Sequence, residues 1–147
     1  MDLSHLPRRV YTPGPTPIQP LPRLSKQLGG AELFVKRDDM LGLAAGGNKT
    51  RKLEFVVADA LSRGADTLIT CGAVQSNHCR LTLAASVVEG LKCRLVLEER
   101  VRGSYHPEAG GNNLLYHLLG GEELRVVEGG CDLEGEMETV AESVRSD

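Results

Sequence analysis

Two short stretches of this 147-residue chain carry residue types and spacings suited to chemistry. The first is Gly42-Leu43-Ala44-Ala45-Gly46-Gly47-Asn48-Lys49-Thr50. It invites a phosphate-loop reading, since G-x-x-x-x-G-K-[ST] uses glycine for close backbone approach and lysine to reach the terminal phosphates. Asn48 breaks that pattern by separating Gly47 from Lys49, and Asp38-Asp39-Met40-Leu41 is a poor buried strand to precede it. The plainer reading is a glycine-rich turn entering a helix, with Asn48 as N-cap and Lys49 as the first helical residue. That reading leaves a cation where the helix dipole disfavours one. A partly desolvated lysine so placed is biased toward its neutral amine, the form that attacks an aldehyde to make a Schiff base.

The second stretch is Cys71-Gly72-Ala73-Val74-Gln75-Ser76-Asn77-His78, where a strand of apolar character gives way to a helix. Ligands of open α/β sheets gather at that edge, and a helix N-terminus offers free N–H groups to a carboxylate or phosphate. Ser76 and Asn77 read equally well as ordinary N-caps. A Ser76–His78 nucleophilic dyad is disfavoured, because side chains two apart on a helix do not face each other. His5, His106 and His117 are isolated, and Glu98-Glu99-Arg100 reads as a solvated strand end. Cys71, Cys79, Cys93 and Cys131 contain no C-x-x-C pair, so they are expected to be reduced thiols and no metal site is expected.

Elements must hold these stretches in place, and the punctuation of the chain supplies them. Six of the seven prolines lie between Pro7 and Pro22, which predicts an extended tail, or an arm laid against a larger body. Strands are predicted over residues 33–37, 66–71, 92–97 and 124–127. Helices are predicted over 48–63, 76–89, 113–119 and 133–144. Leu53, Val56, Val57, Ala60 and Leu61 form the apolar stripe of the first helix, and Gly64 stops it. Strands alternating with helices argue for βαβ units and a parallel sheet. Net charge of -3 gives no electrostatic reason to expect nucleic acid or an anionic membrane. No apolar run approaches the roughly 20 residues that span a bilayer. A cytoplasmic protein is expected.

Lys36-Arg37-Asp38-Asp39, Gly46-Gly47-Asn48-Lys49-Thr50-Arg51-Lys52-Leu53-Glu54-Phe55, the run from Gly64 to Thr70, and Gln75-Ser76-Asn77-His78 together resemble one family. It is the fold-type II pyridoxal-phosphate family of D-cysteine desulfhydrase, 1-aminocyclopropane-1-carboxylate deaminase and L-cysteate sulfo-lyase. The resemblance runs from about Pro7 to the C-terminus, and Gly111-Asn112-Asn113-Leu114-Leu115 is similar to a further element of these proteins. It implies a parallel three-layer αβα sheet of the tryptophan synthase β-like class. It also implies pyridoxal 5'-phosphate as cofactor, with Lys49 forming the Schiff base and then moving a substrate proton. Ser76 matches the serine beside the substrate carboxylate, a proposed nucleophile in the deaminase. Asn77 matches the asparagine bonded to the cofactor 3-hydroxyl. His78, with the N–H groups of Ser76 and Asn77, would complete a carboxylate cradle.

Gln-Ser-Asn-His resembles the desulfhydrase and sulfo-lyase branch, whereas the deaminases usually carry Gln in place of His78. The expectation is therefore β-elimination from D-cysteine or a related cysteine or cysteate, giving pyruvate, ammonia and sulfide or sulfite. 1-Aminocyclopropane-1-carboxylate deamination is the alternative, and an inactive fragment or small-carboxylate-binding module a further one. Members of the family are considerably longer than this chain. The glycine-rich loop that holds the cofactor phosphate has no match here, since Gly110-Gly111 and Gly129-Gly130 lack its Ser/Thr-Gly-Thr character. The resemblance thus divides the chain into an arm and first strand of a large domain (1–45) and a small α/β domain (46–147), with the C-terminal large domain absent. The chain alone is expected to hold the cofactor weakly and to turn over little. The complete protein is expected to be a homodimer acting on a small amino acid.

Overall fold

The computed structural model describes residues 2–106, 108–121 and 123–146. Its centre is a three-stranded parallel sheet of β3 (Thr67–Ala73), β4 (Lys92–Glu99) and β5 (Leu124–Glu128), in that order. Thr67 lies beside Lys92, and Leu95 beside Leu124, at the starts of the two ladders. The helices are α2 (Lys49–Ser62), α3 (Asn77–Glu89), α4 (Asn112–Leu118) and α5 (Leu133–Ser146). Both α3 and α5 pack on β3 and β4, while α2 and α4 flank α3. Because strand side chains alternate, Leu95 and Leu97 enter the core with Cys79, Leu83 and Tyr116, and the fully buried Val96 points to the opposite face. Helices thus cover both faces of the sheet, the three-layer arrangement that the resemblance implies, and the strands are parallel as the βα alternation predicts.

The proline-rich stretch is an arm and not a loose tail. Its Ile18–Pro20 forms a short strand, β1, antiparallel to β2 (Phe34–Lys36), a position that tolerates proline because it is an edge. A helix that the periodicity did not predict, α1 (Pro22–Leu28), follows at once. Pro22 starts it instead of breaking it, since an N-terminal proline loses no hydrogen bond and has the right φ already. Gly29 ends it in the left-handed conformation.

The stripe of α2 also differs from the prediction. Leu53 and Val57 are buried against Leu81 and Ala85 of α3, but Val56 is 56% exposed and Glu54 is 1% exposed. The arm decides this. Oε1 of Glu54 accepts the N–H groups of Tyr11 (2.9 Å) and Thr12 (3.1 Å), and its Oε2 accepts Arg8 Nε at 2.7 Å. Glu89 of α3 takes the Tyr11 hydroxyl at 2.9 Å and the Arg9 guanidinium at 2.8 Å. The backbone donors of a segment without secondary structure need acceptors, and the Glu54 carboxylate serves two of them, while Glu89 holds the arm by its side chains.

Candidate functional site

The loop before Lys49 has an unusual backbone. Leu43, Ala44 and Ala45 have φ of 68°, 33° and 66°, a left-handed run that continues through Gly46 and Gly47. Non-glycine residues pay roughly 1–2 kcal/mol each in that region. The loop is held from outside: Asp38 C=O accepts Gly47 N–H at 2.9 Å, and the Asp38 carboxylate pairs with Arg51 of α2 at 2.9 Å. That pairing holds Asp38 below the usual carboxylate range. Gly46 has no room for a side chain, since a Cβ there would sit 2.2 Å from Asp39 O. Asn48 does not act as the expected cap. It is itself helical (φ -58°, ψ -22°) and makes no capping bond, so the turn and not a side chain starts α2. Lys49, half-buried, is the first residue of that helix.

The β3–α3 turn is built differently. Ser76 is a true N-cap, its Oγ accepting Cys79 N–H at 3.3 Å. No basic side chain hydrogen-bonds that hydroxyl among the described residues, so its own proton is available for donation. Gly72 makes room for Ser76: a Cβ there would lie 2.6 Å from Ser76 Oγ and 2.9 Å from Cys79 Sγ. Buried Tyr116 of α4 donates its hydroxyl to Ser76 C=O at 3.0 Å from below. Ser76 N–H is spent on Ala73 C=O at 2.8 Å. Among the described residues the N–H groups of Asn77 and His78, the first two residues of α3, have no acceptor, one position later than the cradle expected above.

Asn77 is held by its oxygen. Oδ1 accepts Asn112 Nδ2 at 3.0 Å and Arg80 Nη2 at 3.3 Å. Nδ2 of this exposed side chain has no acceptor among the described residues. Asn112 also gives its backbone N–H to Gln75 Oε1 at 2.8 Å and its amide to Gln75 C=O at 2.6 Å, which ties the α4 start to this turn. The His78 ring does not join the cradle. Thr70 Oγ1 lies 2.9 Å from Nε2, and Thr82 Oγ1 lies 3.4 Å from Nδ1. Thr82 already donates to His78 C=O at 2.9 Å, so it accepts from Nδ1–H, and Nε2 accepts from Thr70: a neutral imidazole with both nitrogens engaged. Burial, then the positive charges of Lys52 and Lys49, push His78 below its ordinary value of 6.5.

That shift has a measurable consequence. A histidine lowered on folding binds its proton more readily in the unfolded chain, so stability is complete above pH 6.5 and falls as the pH drops through that value. His78→Asn is expected to flatten the acid limb of a melting-temperature profile. An unchanged limb would count against the neutral, doubly engaged ring.

Ser76, Asn77 and His78 thus stand at the β3–α3 turn, and Arg80 ties the loop before Lys49 to that turn through Gly46 C=O and Asn77 Oδ1. Asp38, Gln75, Arg80 and Asn112 were missed as individual contributors. Asp38, Gln75 and Asn112 lie inside the quoted motifs and Arg80 lies outside them, because polar residues that hold other polar residues have no local pattern of their own.

The family described as pyridoxal-phosphate dependent enzyme matches residues 10–147. This chain belongs to it. It is 47% identical over 149 residues to 1-aminocyclopropane-1-carboxylate deaminase of Burkholderia lata, covering 99% of this chain and 44% of the relative. It is 52% identical over 119 residues to D-cysteine desulfhydrase of Klebsiella pneumoniae, covering 80% and 36%. Among solved structures, a 1-aminocyclopropane-1-carboxylate deaminase homologue superposes with a TM-score of 0.86 at 42% identity, over 98% of this chain and 42% of that one. Cysteine synthase of Entamoeba histolytica, at 21% identity and a TM-score of 0.56, shares the fold. The chain spans less than half the length of these relatives. Among its described residues, no helix is long and apolar enough to cross a membrane.

The pyridoxal-phosphate family brings its cofactor with it, and the residues of this turn and of the loop before Lys49 fit such a group. A half-buried lysine amine, an exposed amide donor at Asn77 with its oxygen already bound, and two free helix N–H groups match an aldehyde, a ring oxyanion and a carboxylate.

Proposed function

We propose that this turn and the start of α2 are part of the active site of a pyridoxal-phosphate lyase acting on a small amino acid, with β-elimination from D-cysteine or a close relative as its reaction. The observation that carries the reading is that Arg80 joins the loop before Lys49 to Asn77 at the α3 N-terminus, with Asn77 Nδ2 unengaged among the described residues. Pyridoxal phosphate supplies an electron-accepting ring when bound. Lys49 holds the cofactor and moves the substrate proton, Asn77 Nδ2 donates to the cofactor 3-oxygen, and the N–H groups of Asn77 and His78 with the Ser76 hydroxyl bind the substrate carboxylate. Elimination expels sulfide from the β-carbon, and hydrolysis of the remaining aminoacrylate yields pyruvate and ammonia. The division at residue 45, the phosphate-holding residues outside this chain, and the homodimer belong to the same proposal.

Deamination of 1-aminocyclopropane-1-carboxylate is the second reading, favoured by the 47% identity to deaminases along 99% of the chain. His78 favours the first. It stands where the deaminases usually carry Gln by the resemblance above, and two threonines hold its ring in the turn. The chain extended to family length, given pyridoxal phosphate, is expected to release sulfide and pyruvate from D-cysteine. Release of a four-carbon 2-oxo acid from the cyclopropane substrate without sulfide from D-cysteine would decide for the deaminase. Neither product would sink both.

A further inference from the structure

Arg80 is a cation in the wrong place for a surface residue. It is 5% exposed, and among the described residues no carboxylate pairs with it. Its Nε is buried and has no hydrogen-bond partner among the described residues. An unpaired buried charge is costly, and a methionine would fill the same space without that cost. What a methionine lacks is the planar fork of donors. Nη1 donates to Ala44 C=O, and Nη2 donates to Gly46 C=O at 3.0 Å and to Asn77 Oδ1 at 3.3 Å. Two acceptors thus come from the left-handed loop that delivers Lys49, and the third is the amide that faces the cofactor oxygen in the reading above.

We propose that Arg80 is the positioning residue that sets Lys49 and Asn77 relative to each other. This rests on the reading of those two residues as cofactor-facing. The guanidinium clamps the strained carbonyls of Ala44 and Gly46, and its Nη2 joins Asn112 Nδ2 in holding the Asn77 oxygen, so Arg80 is the group that ties that amide to the loop before Lys49. Lysine offers one mobile ammonium and cannot reproduce the three-acceptor fork, so charge alone does not suffice. Gly47 in the same loop has φ of 134°, and a Cβ there would meet Leu81 at 3.0 Å.

The first test needs no cofactor. In the nitrogen-15-labelled 147-residue chain, the Asn77 side-chain amide pair is assigned by its loss in Asn77→Asp. Arg80→Lys and Arg80→Met are expected to move that pair to the position of exposed asparagines, while resonances remote from both loops stay in place. An unmoved pair in a folded Arg80→Lys chain would overturn the proposal. Should the variants fail to fold, the wild-type chain decides. Its Arg80 Nη protons are expected to exchange roughly tenfold or more slowly than those of exposed Arg63 and Arg145. Equal exchange would also overturn it. The second test adds pyridoxal 5'-phosphate and borohydride. The ratio of trapping at Lys49 to trapping at Lys52 is expected to fall roughly tenfold in both variants, the effect of losing one charged hydrogen bond. Millimolar guanidinium is expected to restore it in Arg80→Ala. No trapping at Lys49 in the wild type would defeat the functional reading of Lys49, and the Asn77 amide pair would still judge Arg80 by itself.

Discussion

Lys49→Ala is expected to abolish covalent capture of pyridoxal phosphate at this site. When the wild-type chain is incubated with the cofactor and reduced with borohydride, peptide mass spectrometry should find the pyridoxyl group on Lys49. Lys52 lies one turn further along the same helix and shares the electrostatic surroundings of His78, so it is the internal control. A lysine chosen for charge alone would be no better than its neighbour. Lys49 differs in sitting at the helix start, half-buried, behind a loop whose backbone is fixed by Asp38 and Arg80. Holding an amine and an aldehyde in attack geometry is worth several powers of ten in effective concentration, roughly 7–11 kcal/mol at the limit. Trapping spread evenly over Lys49 and Lys52 would remove Lys49 from its role. Loss of the Lys49 adduct in the variant, with Lys52 labelling unchanged, is the expected outcome.

The second large effect is on stability and lies away from the chemistry. Glu54→Ala is expected to cost about 1–3 kcal/mol for each backbone donor left without its acceptor, the half-exposed Arg8 returning to water at little cost. Two backbone N–H groups, of Tyr11 and Thr12, and the Arg8 guanidinium would lose their acceptor in one step. The arm would detach from α2, exposing Tyr11 and the core residues it covers. Denaturant unfolding should show a lower midpoint together with faster proteolysis between Arg8 and Thr12. Glu54→Gln keeps one acceptor oxygen and should fall between the two. Wild-type stability in Glu54→Ala would mean that the arm is held by something other than this carboxylate.

Val56 and Glu54 show where one-dimensional reading stops. A 3.6-residue period picks out Val56 as core and Glu54 as surface, since it scores a helix against an apolar neighbour. The neighbour of α2 on that side is the extended arm, which presents N–H groups. Burial of Glu54 follows from a partner more than 40 residues away, and nothing within the helix records it. Pro22 is the opposite case. Its local meaning, helix start, was available, but five earlier prolines made the whole segment read as extended.

The chemistry-bearing residues were legible because backbone constraints write themselves into short spans. Glycine where a Cβ would collide, as at Gly46 and Gly72, and a lysine or serine at a helix start leave a local signature. The βα alternation and the parallel sheet followed from the same punctuation. Hydrogen-bond partnership was beyond it. That the Ser76 N–H is already used, that the His78 ring turns to Thr70 and Thr82, and that Arg80 spans both loops all depend on distances across the fold. Sequence alone determined which residues stand at the sheet edge, because turns and helix starts are local. Tertiary structure alone decided which of their donors remain free, because a buried polar group must be paired by whatever the fold brings beside it.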